Sequence, residues 1–203
     1  VEFETRIDPN ETSAPFIVNG YKYQRRNLAG QDYEQIYRYD QEDKAVLFFD
    51  ENERAKGKSF YELASWAPSP NNEILAVSED FKGRRKYEIR FREHGKYLKD
   101  VLTETSGSIV WAKDNKTVYY TKKDPETLRE YLVYRHQLGT PQSADELVFE
   151  EKDDKFSVDI SKTITDEYIL IYSYSTTTAE IQLLDASSAK AMPEVFLTRK
   201  AGH

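Results

Sequence analysis

The sequence predicts an all-β fold, a partial β-propeller of about four four-stranded antiparallel blades, and three observations carry that expectation. The stretch Trp66-Ala-Pro-Ser-Pro-Asn-Asn-Glu-Ile-Leu-Ala-Val-Ser-Glu-Asp80 returns as Trp111-Ala-Lys-Asp-Asn-Lys-Thr-Val-Tyr-Tyr-Thr-Lys-Lys-Asp124, and more loosely as Ser161-Lys-Thr-Ile-Thr-Asp-Glu-Tyr-Ile-Leu-Ile-Tyr-Ser173. Ile74 to Val118 spans 44 residues and Val118 to Ile169 spans 51. Such periods fit strand-built blades, whereas helical arrays would space their apolar residues by 3.6. The third observation is alternation: Tyr87, Ile89 and Phe91 interleave with Glu88, Arg90 and Arg92, the period-2 pattern of a strand with one wet face.

Taken in order, residues 1–20 read as a leading loop broken by Pro9, Pro15 and Gly20, with at most a short strand at Phe16–Val18. Tyr21–Arg26, Tyr33–Tyr39 and Val46–Phe49 complete a first unit, in which Tyr33, Tyr37 and Tyr39 are candidates for one face. The charged segment Asp50–Tyr61 reads either as an exposed loop or as one short helix. Phe60–Trp66, Glu73–Ser78, Arg85–Arg92 and Leu98–Leu102 form a second unit, with turns at Pro68–Asn72, Asp80–Gly83 and Glu93–Lys96. The third offers Ser108–Trp111, Thr117–Lys122, Tyr131–Gln137 and Leu147–Glu150, with a loop of turn formers at Leu138–Asp145. The fourth offers Phe156–Ser161, Tyr168–Tyr174, Glu180–Asp185 and Glu194–Thr198. The expected blades are therefore 16–49, 60–102, 108–150 and 156–198 of a single partial propeller domain spanning 1–203, either a small open array or part of a larger ring. No capping pattern follows Arg199, so a cut ring is expected there, with terminal blades that expose faces and edges and self-associate.

Composition narrows the function classes. Of 203 residues, 32% are charged and 38% hydrophobic, but 15 Tyr and 10 Phe argue for an ordered chain. A net charge of -7 argues against nucleic acid or an anionic membrane as a partner. No apolar run is long enough to span a membrane, and Val1–Pro9 lacks a signal-peptide pattern. With zero cysteines there is no thiolate metal site and no cysteine nucleophile. The same absence fits a reducing compartment, so a cytoplasmic location is expected, with the periplasm as the alternative.

Residue by residue, the chemistry is sparse. None of the 8 glycines brackets a serine as Gly-x-Ser-x-Gly; Ser106-Gly-Ser-Ile109 lacks the second glycine, so no catalytic residue is assigned. His94 reads as a turn residue, His136 as a packed or inter-blade hydrogen-bonded strand residue, and His203 as terminal. No metal ligands and no cofactor site are expected, because no two histidines share metal-ligand spacing and no loop has calcium spacing. The acidic run Glu150, Glu151, Asp153 and Asp154 reads as a solvated strand end, or else as an attractor of cationic substrate. Lys82-Gly-Arg-Arg-Lys86 and Arg25-Arg26 read as basic hairpin tips rather than phosphate contacts. Trp66 and Trp111, 45 residues apart, read as packing between sheets.

The run Asp145-Glu-Leu-Val-Phe-Glu-Glu-Lys-Asp-Asp-Lys-Phe156, preceded by Tyr134-Arg-His-Gln-Leu-Gly-Thr-Pro141, resembles the propeller of the prolyl oligopeptidase family, and within it the oligopeptidase B (protease II) branch. Asn19–Arg26, Trp66–Pro70, Asp80–Arg90 and Thr105–Trp111 are similar in the same order, so the resemblance covers roughly 15–200. It implies part of a seven-bladed propeller that gates short peptides to a Ser-His-Asp active site on an α/β-hydrolase domain, with cleavage after Arg or Lys. That domain would be the partner within one polypeptide and is absent from this chain, which is therefore expected to be inactive alone. Substrate-binding residues stay unassigned. The competing reading is a stand-alone propeller-like module that binds a peptide or protein.

Overall fold

The computed structural model describes residues 10–200, so residues 1–9 and 201–203, His203 among them, lie outside the described residues. The chain divides into two compact units, Val1–Tyr61 and Glu62–His203.

In the first unit, β1 (Glu11–Thr12), β2 (Phe16–Val18), β3 (Tyr21–Asn27), β4 (Gln35–Tyr39) and β5 (Ala45–Asp50) make one antiparallel sheet in the order β1-β3-β4-β5, with β2 also pairing β3. The sheet thus has five strands where four were expected. The extra one, β1, is only two residues long and carries no alternation that a sequence reading could detect. Asn19 and Gly20, at φ 47° and 80°, form the tight β2–β3 turn, since left-handed φ at both central positions matches the strand twist. Tyr23, Ile36 and Phe49 are the sheet's buried hydrophobic residues, and Gln24 and Gln35 are buried with them. Tyr37 and Tyr39 do share a face, where they donate to Gln35 Oε1 at 2.8 Å and Gln24 Oε1 at 3.1 Å. Tyr33 lies in the β3–β4 connection, outside the strands, and packs edge-on against Tyr61. The open choice at Asp50–Tyr61 resolves as a short helix, α1 (Glu51–Ala55), capped by the Asp50 carboxylate accepting from Asn52 N at 2.9 Å.

The second unit holds three four-stranded meanders: β6 (Glu62–Pro68), β7 (Ile74–Asp80), β8 (Tyr87–Glu93) and β9 (Lys96–Thr105); β10 (Ile109–Trp111), β11 (Thr117–Lys123), β12 (Glu130–Gln137) and β13 (Glu146–Glu150); β14 (Ser157–Lys162), β15 (Tyr168–Tyr174), β16 (Ala179–Asp185) and β17 (Glu194–Leu197). The repeat seen in the sequence is the first hairpin of each. Asn72, Asn115 and Asp166 hold the same left-handed position, each at φ 59°. The closing bonds Ser69 N–Ile74 O, Ala112 N–Thr117 O and Thr163 N–Tyr168 O recur at 2.7–2.9 Å. Asn and Asp tolerate that conformation better than other non-glycine residues, which is why the turn letters recur.

These three sheets stack face to face. Phe91, Ile89 and Leu102 of the first pack on Trp111, Val118 and Tyr120 of the next. Tyr119, Val133 and Val148 pack on Ile160, Ile171 and Leu184 of the third. The middle sheet is covered on both sides, so all of Thr117–Thr121 is buried and β11 shows no alternation of buried and exposed residues over that stretch. The first strands also lie side by side, with β10 against both β6 and β14. Serial stacking of meanders with neighbouring first strands is the arrangement of propeller blades.

Candidate functional site

Polar side chains gather at the seams between these stacked sheets, and the histidine expected there is one of them. His136 on β12 is 1% exposed. Its Nδ1 lies 2.6 Å from Asp145 Oδ1, and its Nε2 lies 3.4 Å from Asp100 Oδ1 on β9 of the preceding sheet. Its ring stacks on Phe91 with centroids 6.0 Å apart. Asp145 also accepts from the Tyr120 hydroxyl at 2.8 Å. Burial, and the Asp145 carboxylate it faces, push that hydroxyl above the ordinary phenol range. Asp100 accepts from Gly139 N at 2.5 Å, and Gln142 reaches back across the seam to both N and O of Thr103. The loop of turn formers 138–145 is therefore the polar lock of this seam. A histidine between two carboxylates has the outline of a proton relay, but its third neighbour is the Phe91 ring, and among the described residues no serine hydroxyl is hydrogen-bonded to it.

The acidic run follows its reading as a solvated strand end except at Glu151. Glu150, Asp153 and Asp154 are exposed, but Glu151 is 3% exposed. Its carboxylate is paired with Arg199 and accepts from the Ser173 hydroxyl and, at 2.9 Å, from Asp153 N. The Arg199 guanidinium lies 3.9 Å from the centre of the Phe156 ring and 3.5 Å from Glu180. Glu151 does attract a cation, but that cation comes from the same chain. Arg129 grips the same loop from its backbone, donating to Phe156 O at 2.8 Å. Nothing local marks Glu151 as buried, because its partner stands 48 residues away.

The remaining candidates are quickly placed. Ser106 bonds to Thr121 and Ser108 donates to Asp159 Oδ1 at 2.9 Å, so each is tied to a neighbouring strand. His94 at φ 46° and Gly95 at φ 81° form the two-residue turn between β8 and β9. Trp111 is buried between sheets, edge-on to Phe91, and its Nε1 donates to Ala67 O of the previous sheet at 2.9 Å. Arg25 pairs with Glu34 at 3.6 Å, and Arg26 lies over the Tyr37 ring and bonds to Gln24. Among the described residues, no group of three or more His, Asp or Glu could hold a metal ion. A cleft of about 630 Å³ in the first unit had no sequence signal. In it Arg38 sits over the Tyr21 and Phe48 rings and Lys22 over Tyr39, with Lys22 also paired to Asp43.

Comparison with known proteins agrees with this geometry. The family described as prolyl oligopeptidase, N-terminal beta-propeller domain, matches residues 1–203. The dipeptidyl aminopeptidase BI of Pseudoxanthomonas mexicana is 33% identical over 96% of this chain and 29% of its own length. Protease 2 of Moraxella lacunata is 28% identical over 97% of this chain and 30% of its own. The structure of oligopeptidase B from Leishmania major superposes with a TM-score of 0.92 at 31% identity, covering 99% of this chain and 29% of that one. The chain thus spans about three-tenths of the length of the relatives it matches.

Proposed function

The chain belongs to the prolyl oligopeptidase family, and on that premise we propose that it is the non-catalytic propeller portion of a serine oligopeptidase resembling oligopeptidase B. In this reading the stacked sheets continue into a seven-bladed ring, and the ring admits short, flexible peptides to a Ser-His-Asp site on an α/β-hydrolase domain of the same polypeptide. Cleavage follows Arg or Lys. The observation that carries the reading is the match of nearly the whole chain, fold and sequence together, to three-tenths of oligopeptidase B.

Physical considerations support the division of labour. A stack of rigid sheets locked by buried polar seams presents an opening of fixed width, which excludes folded proteins on size and shields the reaction from bulk water. The serines and His136 described above are held by structural partners, which leaves nucleophile and base to the hydrolase domain. The test is hydrolysis of arginyl, lysyl and prolyl reporter peptides by the full-length protein and by this chain alone. The proposal expects arginyl and lysyl cleavage by the former and none by the latter. Cleavage by the isolated chain, or a full-length preference for proline, would contradict it.

A further inference from the structure

The basic stretch 82–86 takes no part in the proposed function, yet it is held in an unusual way. It forms the tip of the hairpin between β7 and β8, and Lys82, Gly83, Arg84, Arg85 and Lys86 are all exposed. Beneath them Asp80 is fully buried. Its Oδ1 accepts from the amides of Lys82 at 2.7 Å and Gly83 at 3.1 Å, and its Oδ2 from those of Arg84 at 2.9 Å and Arg85 at 2.8 Å. One carboxylate thus gathers four consecutive backbone amides, with Gly83 and Arg85 turned to φ 70° and 53° to reach it.

Proteases bind their substrates as extended segments, so a caged turn is cut only after it opens locally. Opening this one breaks four charge-assisted hydrogen bonds and uncovers a carboxylate that the fold keeps from water. We propose that Lys82–Lys86 is a masked cleavage site for proteases that cut after Arg or Lys, and that Asp80 is the mask. Cleavage there is ordinary hydrolysis: water adds its hydroxyl to the carbonyl carbon of Arg84 or Arg85, the C–N bond breaks, and the leaving amine takes the proton. The nicked chain stays assembled, because the β7–β8 ladder continues from Glu79–Glu88 to Ile74–Glu93. Protection of the protein from its own cleavage after Arg or Lys is a use of the mask that rests on the proposed function; the mask itself does not.

Limited trypsin digestion of the full-length protein, with nicks located by mass spectrometry, tests this. Asp80→Asn keeps the side-chain shape but turns one carboxylate oxygen into an NH2 donor that faces amide donors. Nicking within 82–86 is expected to rise at least about 10-fold, with other sites unchanged. An unchanged rate in D80N, or a wild-type rate equal to that of the free 80–86 peptide, overturns the proposal. Hydrogen exchange on the wild type gives a check without a variant: the amides of 82–85 should be protected although their side chains are exposed, and exchange at unstructured-loop rates overturns the mask. Full-length D80N incubated alone should also nick itself in this hairpin. If it stays intact while trypsin cuts it, only the self-protection is overturned.

Discussion

Replacing His136 with alanine should destabilise the protein by about 3–5 kcal/mol, and the two causes can be separated. The ring is buried and stacked on Phe91, and truncating a buried ring of this size leaves a cavity worth about 2–3 kcal/mol. Its removal also strips the 2.6 Å contact from Asp145, a carboxylate that is itself 1% exposed, and the longer one from Asp100. Losing one partner of a buried charged acceptor costs about 1–3 kcal/mol. The lower end applies here, because Asp145 keeps the Tyr120 hydroxyl and Asp100 keeps Gly139 N. His136→Phe restores the volume without the nitrogens, so it should cost only about 1–2 kcal/mol. Urea unfolding of wild type and both variants, followed by tyrosine and tryptophan fluorescence, reads these differences. Against a total stability of about 5–15 kcal/mol they are large. An H136A value within about 0.5 kcal/mol of wild type, the range of ordinary surface substitutions, would refute the seam as a stabilising lock.

Three further outcomes follow from the same geometry. A Cβ on Gly107, at φ 113°, would meet Ala64 Cβ at 3.0 Å and the Tyr87 ring at 3.3 Å, whereas one on Gly95 meets only the end of Arg92. Gly107→Ala should therefore cost about 2–3 kcal/mol and Gly95→Ala about 1 kcal/mol in thermal denaturation, and equal costs would contradict the close approach. The Tyr87 hydroxyl is pushed up to about 12 by burial and by the Glu62 carboxylate it bonds. Its folded value is raised, so its contribution is complete below the ordinary 10.0 and is lost as pH climbs towards 12. Tyr87→Phe should flatten the fall in stability between those pH values, and an unchanged slope would contradict it. For the Glu151–Arg199 pair, Arg199→Gln should cost about 1–3 kcal/mol, discounted because the arginine side chain is 30% exposed. A double-mutant cycle with Glu151→Gln should give a coupling above about 0.5 kcal/mol; a smaller value would show that the pair is not energetically linked.

What was legible in the sequence was whatever repeats or alternates. The Trp66 and Trp111 copies announced stacked meanders because each first hairpin needs the same turn, and the left-handed Asn72 and Asn115 supplied the recurring letters. Tyr87, Ile89 and Phe91 marked the buried face of β8 because that strand has one covered side and one partly exposed side. Of the polar seams only His136 was legible, as a packed or inter-blade residue; its partners and the Glu151–Arg199 pair were hidden because they are brought together by stacking rather than by sequence spacing. Asp100 and His136 are 36 residues apart, and Glu151 and Arg199 are 48 apart. Glu151 therefore read as one more surface acid. Asp80 was hidden for another reason: its ligands are backbone amides, which no side-chain pattern encodes. Helix α1 stayed an open choice because five residues hold too little periodicity to decide, and its Asp50 cap is decisive only once seen in place.

The central claim is that this chain helps to form a size-selective gate, and competition between two forms of one substrate tests it most directly. A short arginyl peptide, and the same sequence carried in a surface loop of a stably folded protein, are offered together to the full-length protein. The account predicts rapid cleavage of the free peptide and survival of the folded carrier, with the carrier cut only after it is unfolded. Cleavage of the folded carrier at the rate of the free peptide would contradict it.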